Sequence, residues 1–141
     1  MSSPPAPAAI SPPELVARAR QALGFAYARY SNFAVAAAVI DERGRLFQGV
    51  NVENASYGLT ICAERAAIFS AVSQGARRIT AIAITAEKTK ALEPCGACRQ
   101  VMLEFCEPGT RVFLDTGTNE PIERTVGELM PHAFTLKDVP V

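Results

Sequence analysis

The sequence predicts an α/β chain with three layers, α-β-α, around a mixed sheet of about five strands. Three observations lead there. Short apolar stretches of strand length alternate with segments whose apolar residues recur at helical spacing. Only a short turn joins the first two strands, so they must pair antiparallel. Helical segments separate the later strands, which suits parallel crossovers and makes the sheet mixed.

The elements follow in order. Residues 1–10 are rich in Pro, Ala and Ser and read as a disordered arm, with a single domain over 11–141. Ser11 caps the first helix, Pro12 suits its first position, and Glu14 falls three residues after the cap. Leu15, Ala19, Ala22, Leu23 and Ala26 then form one apolar stripe. Phe33 to Ile40 is a continuous apolar run, as expected of a strand buried on both faces. Asp41 to Gly44 is a turn, and Arg45 to Asn51 is the returning strand. Cys62 to Gln74 is a helix closed by Gly75. Ile79 to Thr85 is a buried strand, and Pro94 to Phe105 is a helix with proline at its start. Arg111 to Asp115 and Ile122 to Val126 are short strands, followed by a short helix near Glu128.

Charge narrows the function. Fourteen basic and 14 acidic residues give a formal net charge of +0, and no basic run is present to hold a polynucleotide. A small, nearly neutral ligand suits this balance. No apolar run approaches the ~20 residues that span a bilayer, and the first residues lack signal-peptide character. A cytoplasmic protein is expected, with no membrane or nucleic-acid polymer as partner. In that reducing compartment four cysteines point to metal or catalysis before disulfides.

Two segments carry the chemistry. Cys62-Ala63-Glu64 opens one predicted helix, and Cys95 and Cys98 lie at the start of another. Spaced by three, Cys95 and Cys98 share a helical face that Met102 and Phe105 continue, so both sulfurs are expected to point into the core. Cys62 can supply a third thiolate, and helix N-termini favour thiolate over thiol. Three protein ligands leave the fourth tetrahedral position of zinc to water, the arrangement of a catalytic site. Glu64 then stands beside the metal as a carboxylate able to move a proton. Arg65 can offset the negative sulfurs by hydrogen bonding.

His or Cys, a nearby Glu and then Pro-Cys-x-x-Cys is the pattern of zinc base deaminases. The likeness extends further. The run NVENASYGLTICAER from Asn51 to Arg65 closely resembles the matching segment of small cytidine deaminases. So do PCGACRQ from Pro94 to Gln100 and TVGEL from Thr125 to Leu129, with Pro131 and Phe134 following. This resemblance implies one zinc per chain on Cys62, Cys95 and Cys98, with Glu64 as proton shuttle. It implies that Asn51 and Glu53 bond the ribose, that Phe33 packs on the pyrimidine, and that Ala63 also meets the substrate. It further implies a homotetramer in which Tyr57 and Phe134 close sites at subunit boundaries. Ala36 and His132 depart from the family, each standing where glycine is common.

Taken alone, Cys95-x-x-Cys98 equally suits a redox pair or half of a structural zinc site. Cys106 lies about 12 Å along the helix from Cys98, too far to join the same ion, and reads as a small buried apolar residue. Two other functions remain open. One is a deaminase of a related base or of a blasticidin-type nucleoside antibiotic. The other is a non-catalytic zinc-binding module.

Overall fold

The computed structural model describes residues 9–136. Most of the expected arm, residues 1–8, therefore lies outside the described residues. Ile10, at its end, packs on the cluster beneath the first helix.

Helix α1 spans Pro12–Ala22 and starts as its sequence requires: the Ser11 hydroxyl accepts the Glu14 N–H, with proline in the first turn. Its stripe is Leu15, Val16, Ala19 and Ala22. Leu23 and Ala26 fall outside it, because the chain tightens into a 3-10 turn at Leu23–Phe25. Strand β1, Val35–Asp41, is buried nearly throughout, as a continuous apolar run predicts. It begins two residues later than expected, leaving Phe33 ahead of the strand. The turn into β2, Leu46–Val50, is organised by Asp41. Its carboxylate accepts the N–H groups of Arg43 and Arg45 at 3.0 and 2.8 Å and the Arg45 Nε at 2.8 Å. Gly44 turns the chain at φ +77.

Helix α2, Ala63–Ser73, leads to β3, Ile79–Ala86; helix α3, Gly96–Phe105, leads to β4, Arg111–Leu114. Strand β5, Ile122–Thr125, runs directly into the short helix α4, Val126–Leu129. Thr125 and Glu128 form a capping box between them.

The five strands lie in the order β2-β1-β3-β4-β5. The expected mixed sheet is present, but only β3 and β4 are parallel neighbours. β1 sits between β2 and β3 and is antiparallel to both. β5 returns antiparallel to β4, because no helix intervenes to carry the chain back. On one face Ala37, Val39, Ile82, Ile84, Val112 and Leu114 pack with residues of α2 and α3. On the other, the smaller Ala38 and Ala83 together with Phe113 receive α1. These are the three layers. No helix among the described residues is long and apolar enough to cross a membrane.

Candidate active site

The starts of α2 and α3 converge beside the sheet. Cys62 and Cys95 are the N-cap residues of the two helices, and neither side chain makes a capping hydrogen bond. Positions that favour Ser, Thr, Asp or Asn are thus occupied by sulfurs turned to another purpose. Cys98 follows in the first turn of α3. Cys62 Sγ lies 3.8 Å from Cys95 Sγ, which lies 3.5 Å from Cys98 Sγ. All three sulfurs fall within 4.8 Å of one another, and they are the metal-competent cluster among the described residues.

One expectation needs correction. Cys98 is buried, but Cys95 is exposed. Cys95 has extended backbone, φ −70 and ψ 167, so helical spacing does not apply to it. Pro94 correspondingly precedes the cap and is not in the first turn. Cys106 behaves as expected: it is buried at the end of α3, and burial pushes its thiol up to about 12.

The donor set fits zinc. Sulfurs about 2.3 Å from a tetrahedral zinc stand about 3.8 Å apart, close to the spacings seen. Contact with Cys98, then with Arg65, draws the Cys62 thiol down to about 5, while the same contact and burial push Cys98 up. Three thiolates this close need a cation to coexist, and zinc supplies one. Arg65 donates from Nη2 to Cys62 Sγ at 3.3 Å, so its charge faces the sulfurs as its sequence position suggests. Its Nε is buried without a partner.

Glu64 is 4% exposed, in the first turn of α2. Burial raises its pKa, and the neighbouring Cys62 adds to the rise. A carboxyl raised toward neutrality can both take and return a proton. Ala63, between Cys62 and Glu64, is fully buried. Its amide is among those that the first turn leaves without an intrahelical partner.

A cleft of about 320 Å³ is lined by Tyr30, Ser31, Glu53, Asn54, Tyr57 and Thr60, the last of these two residues ahead of Cys62 in the chain. Val52 pairs with Tyr27 on one side and Ile61 on the other, which ties the segment carrying Glu53 to the one entering Cys62. Glu53 Oε1 accepts the N–H groups of Tyr30 and Ser31 at 2.9 and 3.0 Å, and Oε2 accepts the Ser31 hydroxyl. Hydrogen bonds from Ser31 hold its carboxyl below the usual range. Asn51 is buried, donating to the Phe33 carbonyl at 2.8 Å and accepting the Val35 N–H at 3.0 Å. Phe33 packs half-buried on the main core. Tyr57 and Phe134 project outward, 80% and 65% exposed.

A family model, that of the cytidine and deoxycytidylate deaminase zinc-binding region, matches residues 12–114. The chain belongs to this deaminase family. The deaminase is 49% identical over 125 residues to a cytidine deaminase of Halalkalibacterium halodurans, covering 89% of this chain and 95% of that one. The crystal structure of cytidine deaminase from Burkholderia pseudomallei matches it with TM-score 0.83 and 45% identity, covering 89% of this chain and 100% of the other. Cytidine deaminase from Mycobacterium tuberculosis matches with TM-score 0.79 and 42% identity, over 90% and 99% of the two chains.

Two residues of the deaminase escape a reading of its sequence. A Cβ on Gly49 would lie 2.3 Å from Ala67 N and 2.6 Å from the Ala63 carbonyl. The first turns of α2 therefore rest on bare β2 backbone. Glycine inside a strand is a known sign of close approach, though it does not name the partner. Ser31 is the other, and nothing in its sequence position marks its bond to Glu53.

Proposed function

We propose that this chain is a zinc-dependent cytidine deaminase, hydrolysing cytidine and 2′-deoxycytidine to uridine and 2′-deoxyuridine with release of ammonia. The observation that carries it is the joint placement of three convergent sulfurs and a buried carboxyl, Glu64, two residues from the first of them.

Cys62, Cys95 and Cys98 would hold zinc, which when bound would supply Lewis-acid activation of a water, bringing its pKa to about 7. Glu64 takes the proton of the attacking water and delivers it to N3 of the pyrimidine. Protonation there makes C4 electrophilic toward the oxygen nucleophile. Glu64 then carries the second proton to the exocyclic amine, which leaves as ammonia. Arg65 holds the Cys62 sulfur in place during this exchange.

In this reading Phe33 packs on the base, while Asn51 and Glu53 hold the ribose. Asn51 keeps one N–H and Glu53 one lone pair beyond the bonds above, matching a hydroxyl that both donates and accepts. The cleft lining contains one carboxylate and no cation, which favours a nucleoside over a phosphorylated nucleotide. A homotetramer is proposed, with Tyr57, Ala63 and Phe134 near the completed sites. Exposed Phe25, Tyr57, Leu59, Phe134 and Leu136 support it, since such apolar surface favours burial against other copies. A cytoplasmic setting keeps the thiolate ligands reduced.

The test is the loss of ultraviolet absorbance as purified protein converts cytidine, with zinc measured on the same sample. Turnover with about one zinc per chain is expected. Zinc without turnover of either nucleoside would overturn the assignment.

A further inference from the structure

The inference concerns Ser31 and rests on the deaminase reading above. Its hydroxyl donates to Glu53 Oε2 and accepts the Phe33 N–H at 3.1 Å. One hydroxyl has one hydrogen and two lone pairs, so both bonds form together. Phe33 is held from its other end as well: its carbonyl accepts Asn51 Nδ2 at 2.8 Å. Asn32, between Ser31 and Phe33, turns the chain at φ +56 and donates its N–H to the Ala28 carbonyl at 2.8 Å. Both side chains assigned to the sugar thus meet at the backbone of the residue assigned to the base. Asn51 reaches it directly, and Glu53 reaches it through a single atom, Ser31 Oγ.

We propose that Ser31 is a positioning residue that fixes the Glu53 carboxylate relative to the Phe33 ring, so that sugar and base are recognised as one unit. Three donors already occupy Glu53, which leaves about one acceptor position for a sugar hydroxyl. The direction of that position is set by the other three bonds. Without the Ser31 hydroxyl, the Phe33 N–H loses its partner and the carboxylate is free to rotate away from the sugar.

The experiment is steady-state kinetics on cytidine with zinc-loaded wild type, Ser31→Ala, Ser31→Thr, Glu53→Gln and the Ser31→Ala/Glu53→Gln double variant. Ser31→Ala is expected to raise KM about tenfold with kcat within about threefold, because it removes a bond made equally in ground and transition states. Ser31→Thr keeps the hydroxyl and is expected to return KM to within about threefold of wild type. In the Glu53→Gln background, Ser31→Ala should change KM less than about twofold, since partners in one network are not additive. Should Ser31→Ala lose its zinc or its fold, Ser31→Cys takes its place with the same expected rise. An unchanged KM in an active Ser31→Ala enzyme, a fall in kcat alone, or additive effects in the cycle would overturn the proposal and leave the deaminase reading standing. A wild type carrying zinc but inert toward cytidine would instead remove that reading, and this proposal with it.

Discussion

Glu64 is the residue proposed to carry the protons of the reaction. It is buried, its pKa is raised, and it stands outside the sulfur cluster. Glu64→Gln should therefore retain zinc and lose about 10²–10⁴-fold in kcat, the usual worth of a positioned proton donor and acceptor. Near-normal turnover in a zinc-replete Gln variant would exclude the shuttle role. At the sulfurs the outcome differs. Cys95→Ala should lose metal first and activity as a consequence, read by zinc content before kinetics. His132 shows what a family departure means in structure. Its φ is +56, a left-handed backbone that glycine adopts without strain. That is a physical reason for glycine to suit the position. The departure was visible in the sequence; its backbone cost was not.

Elements set the site through two contacts far apart in sequence. Gly49 lets β2 meet α2 backbone to backbone, and α2 carries Cys62 and Glu64 at its start. Gly49→Ala should push α2 outward, costing about 1–3 kcal/mol of stability. The same variant should surrender zinc faster to a chelator, and zinc retention equal to wild type would contradict this. Asp115 joins the layers at the other end. It accepts Arg20 of α1 and Thr85 of β3, and its own carbonyl accepts the Ala91 N–H in the loop leading to Cys95. Burial works against the charge, yet the bonds from Arg20, Gly117 and Thr85 prevail and hold the carboxyl at about 2. A depressed folded-state pKa stabilises above the unfolded value, near 3.9, and that stability is lost as pH falls toward 2. Denaturant unfolding should show Asp115→Asn less stable by about 2 kcal/mol at pH 7, with the gap closing between about pH 4 and 2. A gap that stays constant over that range would mean the charge is not responsible.

On the scale of the molecule, binding and folding are linked. The three cysteines proposed to hold zinc sit at the starts of two helices packed on one face of the sheet, so an ion held there would join elements that otherwise meet through side chains. Chelation should lower the unfolding temperature, and restored zinc should recover it. The outer surface makes a second prediction. With Tyr57, Leu59, Phe134 and Leu136 exposed, light scattering should return four times the 15.0 kDa chain mass. A mass equal to one chain would end the homotetramer proposal.

Sequence alone determined the donor set, because Cys62-x-Glu64 and Cys95-x-x-Cys98 state residue type and spacing locally. It also determined most elements, since hydrophobic period, caps and turns are local properties. The Ser11 cap, the Asp41–Gly44 turn and the buried apolar strand all follow from neighbouring residues. What depends on distant segments came only from tertiary structure. The antiparallel return of β5, the exposure of Cys95 at a cap, the Gly49 contact with α2 and the Ser31 bond to Glu53 are of this kind. Each is fixed by where two remote pieces of chain meet, and a linear pattern records the residues but not their meeting.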